Sequence, residues 1–169
     1  DNLLSIDEIR DIVQQAKKLG LIHVNLTGGE PNLRKDLCDI IRACDPKNIT
    51  VSIVTNAIKI RKQHMIDMKE AGLNTIQISI DDSNPMEHDR LRGVPGCYHQ
   101  AMRVAKWARE LDINLVFSCV ISTENTQNDL EEIYKLVDPA EKEGAYLLLN
   151  DGAAVGGWED QNEKMYSSE

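Results

Sequence analysis

The segment Thr27-Gly28-Gly29-Glu30-Pro31 combines two glycines, a carboxylate and a proline at the end of an apparent strand. Glycine lets a ligand approach the main chain and permits backbone angles that a side chain forbids. Pro31 fixes the direction in which the chain leaves. The motif can therefore offer carbonyls, N–H groups and one negative charge at a single point. That set suits an ammonium group better than a phosphate, which Glu30 would repel. A plainer description also fits, a tight turn followed by a helix-start carboxylate favoured by the macrodipole, and for the glycines alone it is preferred. Other polar residues fall at comparable places: Asn56 after "IVT", Ser79 and Asp81 in "TIQISID", and Ser118 in "LVFSCVI". Taken singly, each serine serves equally well as a small filler of an interior, and Asp81 and Asn56 as turn residues. A shared strand edge is what would make them a site.

The elements that must position these residues alternate along the chain. Ser5 and Glu8 have the spacing of a capping box, and Ile9, Ile12, Val13, Ala16 and Leu19 share one face of the helix that follows, up to Gly20. "LIHVNLT" reads as a strand. A second helix carries Leu37, Ile40, Ile41 and Cys44 and stops at Asp45-Pro46, before the strand "ITVSIVTN". A third holds Met65, Ile66, Met68 and Ala71, ends at Gly72, and leads to "NTIQISID". After a longer connection come a helix across Met102, Val104, Ala105, Ala108 and Leu111 and the strand "INLVFSCVI". A fifth helix holds Leu130, Ile133, Tyr134 and Val137 and ends before Pro139; "AYLLLN" is the last strand. Regular alternation argues for a parallel sheet with right-handed crossovers. Within the strands, Gln77, Ser79 and Asp81 alternate with Ile76, Ile78 and Ile80, and His23 and Asn25 with Val24 and Leu26. Strands covered by helices on both faces would be apolar throughout. One polar face favours a curved sheet, so the expected architecture is α/β, a partial parallel (β/α) barrel, over residues 1–159, with 160–169 as a solvated tail.

Composition narrows the function. With 19 Lys+Arg against 28 Asp+Glu, the net charge of -9 works against nucleic acid and anionic membranes as partners. No apolar run approaches a bilayer span and no signal-peptide pattern opens the chain, so a cytoplasmic protein is expected. Cys38, Cys44, Cys97 and Cys119 show no C-x-x-C spacing and read as reduced thiols.

Four segments in order, "LTGGEPNLRKDL", "VTNA", "EAGLNTIQISIDDSNPMEHDRLRGVPG" and "LVFSCVIS", resemble the radical S-adenosylmethionine (SAM) superfamily, especially its molybdenum-cofactor and its peptide- or tetrapyrrole-modifying branches. The resemblance spans residues 5 to 150. It implies a partial (β/α) barrel holding SAM and a [4Fe-4S] cluster, with one-electron cleavage of SAM to a 5'-deoxyadenosyl radical. That radical abstracts hydrogen from a peptide or small-molecule substrate, and an electron donor serves the cluster. By the same resemblance, the backbone of Gly28 and Gly29 and the carboxylate of Glu30 meet the SAM amino group. Ser79 and Asp81 lie near its ribose and methionine portions, Ser118 near its carboxylate or ribose, and Asn56 on the rim. Ala57 stands where the family commonly has glycine. The C-x-x-x-C-x-x-C motif that holds the family's cluster is absent. This implies a fragment that begins after its first strand and cluster loop, has no metal ligands of its own and is inactive alone.

Two other classes compete: a non-catalytic ligand-binding or scaffold module derived from the same fold, and an α/β enzyme whose Gly-Gly turn binds phosphate. Glu30 and the lack of a following Lys or Arg at a phosphate-loop position count against the last. For the remaining candidates the structural role is preferred: His88 as an anchor rather than a proton donor, His23, His64 and His99 without metal spacing, Trp107 as packing, and "GAAVGGWE" (152–159) as an exit loop or adenine-side segment.

Overall fold

The structure, a computed structural model, describes residues 3–121 and 134–151. Its strands β1 (His23–Leu26), β2 (Thr50–Thr55), β3 (Thr75–Ser79), β4 (Asn114–Ile121) and β5 (Tyr146–Asp151) form one parallel sheet in chain order. The helices are α1 (Ile6–Lys17), α2 (Leu37–Ala43), α3 (Lys62–Ala71), α4 (Pro85–Arg92), α5 (Cys97–Glu110) and α6 (Val137–Glu143), with a 3-10 turn over Pro31–Leu33. Right-handed crossovers that always step the same way put the described helices between successive strands on one face. The expected barrel-type α/β sheet is therefore what forms, and among the described residues it stays open: β1 and β5 each have one neighbour.

The helix-facing rows supply the core. Ile53, Ile76 and Leu115 make one row and Ile78, Phe117 and Leu147 the next, covered by Met65 and Met68 of α3 and by Ala101, Val104, Ala105 and Ala108 of α5. On the other face Thr75, Gln77 and Ser79 are only half-buried. The period-2 reading of β3 thus gives the sheet its two chemistries.

Local signals set most boundaries. The capping box forms as expected, with the Ser5 N–H donating to Glu8 Oε2 at 2.8 Å and the Glu8 N–H to Ser5 Oγ at 3.3 Å. Gly72 ends α3 at φ +106°, and a Cβ there would lie 2.5 Å from Pro46, so both the angle and the packing require glycine.

Three expectations change. The long connection before α5 contains α4, capped by the Asn84 side chain, which accepts from the Met86 N–H at 2.9 Å, and closed by Gly93 at φ +66°. Asn-Pro at the start and Gly at the end were legible signals. Next, a turn after Tyr134 separates the expected fifth helix, most of which lies outside the described residues, from α6, which carries Val137 and holds Pro139 in its first turn, where the missing N–H has no intrahelical partner to lose. Last, α1 ends at Lys17, and Ile12 on it and Leu19 and Ile22 in the connection to β1 are 50%, 91% and 78% exposed, so the buried face is narrower than the apolar period implies. Leu130, Ile133, "GAAVGGWE" and the tail 160–169 lie outside the described residues. No helix among those described is long and apolar enough to cross a membrane.

Candidate functional site

Parallel pairing sets polar residues of neighbouring strands side by side. Asn25 sits beside Ser52, Ser52 beside Thr75, and Ser79 beside Ser118. Paired residues point the same way, so the two serines occupy adjacent places on the face away from the helices. The Ser118 hydroxyl is buried and accepts from Asn150 Nδ2 of β5 at 2.8 Å. Asn150 was missed as a site residue, although the alternation of "YLLLND" puts it on the polar phase. Lower on the same face, Ser52 Oγ donates to Asn25 Oδ1 at 2.9 Å and stands 2.7 Å from His23 Nε2. Since the serine proton is used, His23 Nε2 is the donor there.

Glu30 lies next along this edge. Its Oε1 accepts from the Thr55 hydroxyl at 2.6 Å and from the Asn32 N–H at 3.2 Å, and its Oε2 accepts from the Asn56 N–H at 2.9 Å. It therefore caps the 3-10 turn, as the plainer description required, and also ties the β1 loop to the end of β2. A carboxylate has about four acceptor directions, and these bonds leave one on Oε2. Gly28, two residues earlier, has φ +129° with nothing within 4 Å of a Cβ, so the backbone angle alone selects glycine there. Gly29 is exposed beside it. Asn56 uses its own Oδ1 to accept from the Ile58 N–H at 3.0 Å, and Ala57 holds φ +62°, the left-handed angle that glycine adopts without strain.

Glu30 in the loop after β1, Asn56 just past β2, Ser79 at the end of β3 and Ser118 within β4 thus come from four consecutive strands, Glu30 bonded to Asn56 and Ser79 paired with Ser118, a polar shelf on this side of the sheet. Cavities of about 370 Å³ between the 3-10 turn and α3 and of about 390 Å³ beside Leu3, Leu4 and β1 are lined by other residues.

Asp81 lies two residues past the end of β3, and its carboxylate turns toward α4, where Arg92 Nε is 2.5 Å away. Its N–H donates to His88 Nδ1 at 3.1 Å. His88 is buried and meets Tyr98 edge-on at 5.7 Å. Burial holds its pKa below the usual histidine value, with the Asp81 charge opposing that shift. A neutral ring whose Nδ1 accepts a backbone N–H is an anchor, the preferred expectation for this residue. Asp82 Oδ1 accepts from the Asn84 N–H at 2.7 Å, so the second acid of the pair does cap the connection.

This depressed pKa has a signed consequence. The unfolded chain takes up the His88 proton at about pH 6.5, before the folded protein does, so stability is full above that value and falls as the pH drops below it. Paired carboxylates with lowered pKa, such as Asp89 and Asp45, act only below about pH 4. Thermal melts between pH 7 and pH 5 are therefore expected to show a falling midpoint that flattens in His88→Gln. Equal slopes in the two proteins would show that His88 is not the group responsible.

The cysteines are dispersed: Cys38 in α2, Cys44 at its end, Cys97 opening α5 and Cys119 within β4. All are free. Burial raises every thiol, Cys97 to about 11 with the Asp89 hydrogen bond adding to it, and Cys119 to about 12 with the Asp81 charge adding. Among the described residues no group of three or more His, Cys, Asp or Glu could hold a metal ion.

With this geometry in hand, the family model described as the Radical SAM superfamily matches residues 1–137. A PqqA peptide cyclase of Rhizobium meliloti (strain 1021) is 30% identical over 162 residues, which is 96% of this chain and 42% of that protein. The crystal structure of Streptococcus suis SuiB bound to S-adenosylmethionine superposes with a TM-score of 0.78 at 24% identity, over 94% of this chain and 36% of that one. SuiB bound to the precursor peptide SuiA gives the same TM-score and identity, over 94% and 35%. The chain therefore spans less than half the length of these relatives.

Proposed function

The chain belongs to the radical SAM superfamily, and we propose that it forms the SAM-binding core of a member that modifies a peptide. The observation that carries this is the polar shelf, in which the Glu30 carboxylate is bonded to the end of β2 at Thr55 and Asn56 while Ser79 at the end of β3 stands beside Ser118 of β4. The ammonium of SAM is a donor-only cation and fits the acceptor direction left on Glu30 Oε2. Gly28 and Gly29 allow close approach, Ser79 and Ser118 serve the ribose and carboxylate, and Asn56 closes the rim. Asp81, proposed from the resemblance for the methionine and ribose side, has its carboxylate engaged by Arg92 and its N–H by His88, so it would border that side as part of the wall and not as a direct ligand. SAM held by these residues would supply the hydrogen-abstracting chemistry of the family once reduced from a [4Fe-4S] cluster.

The cluster does not fit the donor set of the described residues, whose thiols are scattered and hard to ionise. We assign its ligands, and the contact with an electron donor, to polypeptide outside this chain, and take residues 1–159 as barrel domain with 160–169 as its tail. A peptide substrate is favoured over another small molecule because a PqqA peptide cyclase and a peptide-bound SuiB are among the similar proteins. A reducing, cytoplasmic setting agrees with the free thiols.

The test is a titration of the isotope-labelled chain with SAM, followed by NMR. Amide shifts at Gly28, Gly29, Asn56, Ser79 and Ser118 are expected to move together and saturate. Movement confined to the cavity by Leu3 and Leu4 would reject the shelf as the site, and no movement at all would favour the scaffold class.

A further inference from the structure

Resting on that reading of Glu30, we infer that Thr55 is the positioning residue that presents the Glu30 carboxylate to its ligand. Thr55 ends β2 on the helix-facing side, in the row of Ile78 and Phe117, and is 2% exposed. Apolar neighbours make valine or isoleucine the residue this place would take for packing alone, and a hydroxyl buried there must find partners. It finds two. Its Oγ1 accepts from the Ala57 N–H at 3.0 Å, which leaves its single proton to be given to Glu30 Oε1 at 2.6 Å.

That proton direction decides how the carboxylate stands. With Thr55 and the Asn32 N–H on Oε1, and the Asn56 N–H on Oε2, the acceptor direction left over belongs to Oε2. The turn behind Thr55 is itself braced, because Gln100 Nε2 of α5 donates to the Ile60 carbonyl at 2.7 Å. Thr55 therefore couples Glu30 to the helix layer, and a ligand meets a carboxylate that has already given up its rotational freedom. A donor-only head group bonded by one N–H at a fixed angle is the chemistry this arrangement selects.

Two substitutions separate positioning from packing. Thr55→Val keeps the shape and removes the hydroxyl; Thr55→Ser keeps the hydroxyl and removes a buried methyl. Both lower the melting temperature, since one strands the Ala57 N–H and the other leaves a small void. If Thr55 acts through Glu30, SAM affinity read by NMR titration drops about tenfold in Thr55→Val, the loss of one charge-assisted bond. It stays near the parent value in Thr55→Ser, and Thr55→Val has no further effect in a Glu30→Gln background. Affinity that falls equally in both variants, or an undiminished Thr55→Val effect on Glu30→Gln, would overturn the inference. Should the parent chain show no SAM binding, the SAM reading fails separately and Thr55 is judged on hydrogen exchange. Faster exchange of the Asn32 and Asn56 amides in Thr55→Val but not in Thr55→Ser supports positioning, and unchanged exchange in both rejects it.

Discussion

No 5'-deoxyadenosine above background is expected when the 169-residue chain is incubated anaerobically with iron, sulfide, SAM and a strong reductant. A site-differentiated [4Fe-4S] cluster needs three thiolates close together with one iron left open. Here the four thiols sit on α2, at its end, on α5 and within β4, with burial raising the pKa of each. Assembling a cluster on them would require opening the core, since Cys44 and Cys119 are fully buried against it. A longer polypeptide carrying three cysteines in the C-x-x-x-C-x-x-C spacing ahead of Asp1 is expected to turn brown on reconstitution and to release 5'-deoxyadenosine, measured by chromatography. The contrast is all-or-none. Cleavage by the short chain would show that it ligates a cluster by itself, and silence from a fully clustered longer protein would move the function toward a binding module.

Glu30→Gln is expected to weaken SAM binding by about 1.5–3 kcal/mol, roughly ten- to 150-fold in the dissociation constant. The ammonium loses its charged partner, which is the larger part of the effect. Geometry adds to it, because both carboxylate oxygens already accept bonds, one from Thr55 and Asn32 and the other from Asn56. Whichever way the new amide turns, its NH₂ group faces a donor. The β2 rim should therefore loosen as well, with faster exchange of the Asn56 amide if the amide nitrogen takes the Oε2 place. Calorimetry on the clustered longer protein measures the first effect and hydrogen exchange on this chain the second. Unaltered affinity with a loosened rim would make Glu30 a structural staple and nothing more.

The sequence by itself determined the order and type of nearly every element, because the signals for these are local. Apolar period, a capping box at Ser5, glycine at 20 and 72 and the two-residue alternation in β3 each act within a few residues of the place they mark. Where such signals pulled apart, the local physics still explains the outcome: Pro139 looked like a stop, yet a proline in a first turn loses no hydrogen bond. The motif order also carried the family, which the match over residues 1–137 bears out. What only the tertiary structure decided is which groups face one another and with which atoms. Ser79 and Ser118 become neighbours through strand register, a relation between segments far apart in the chain that no local pattern encodes. Asp81 and His88 looked like site and loop residues, but the turn of α4 against the end of β3 joins them to each other and to Arg92. Thr55 carries no local signal that sets it apart from its strand, and Glu30 read as either a cap or a ligand. The crossing of the β1 loop over the end of β2 makes Glu30 a cap and a cross-link together, since a carboxylate has acceptor directions enough for both tasks and one more.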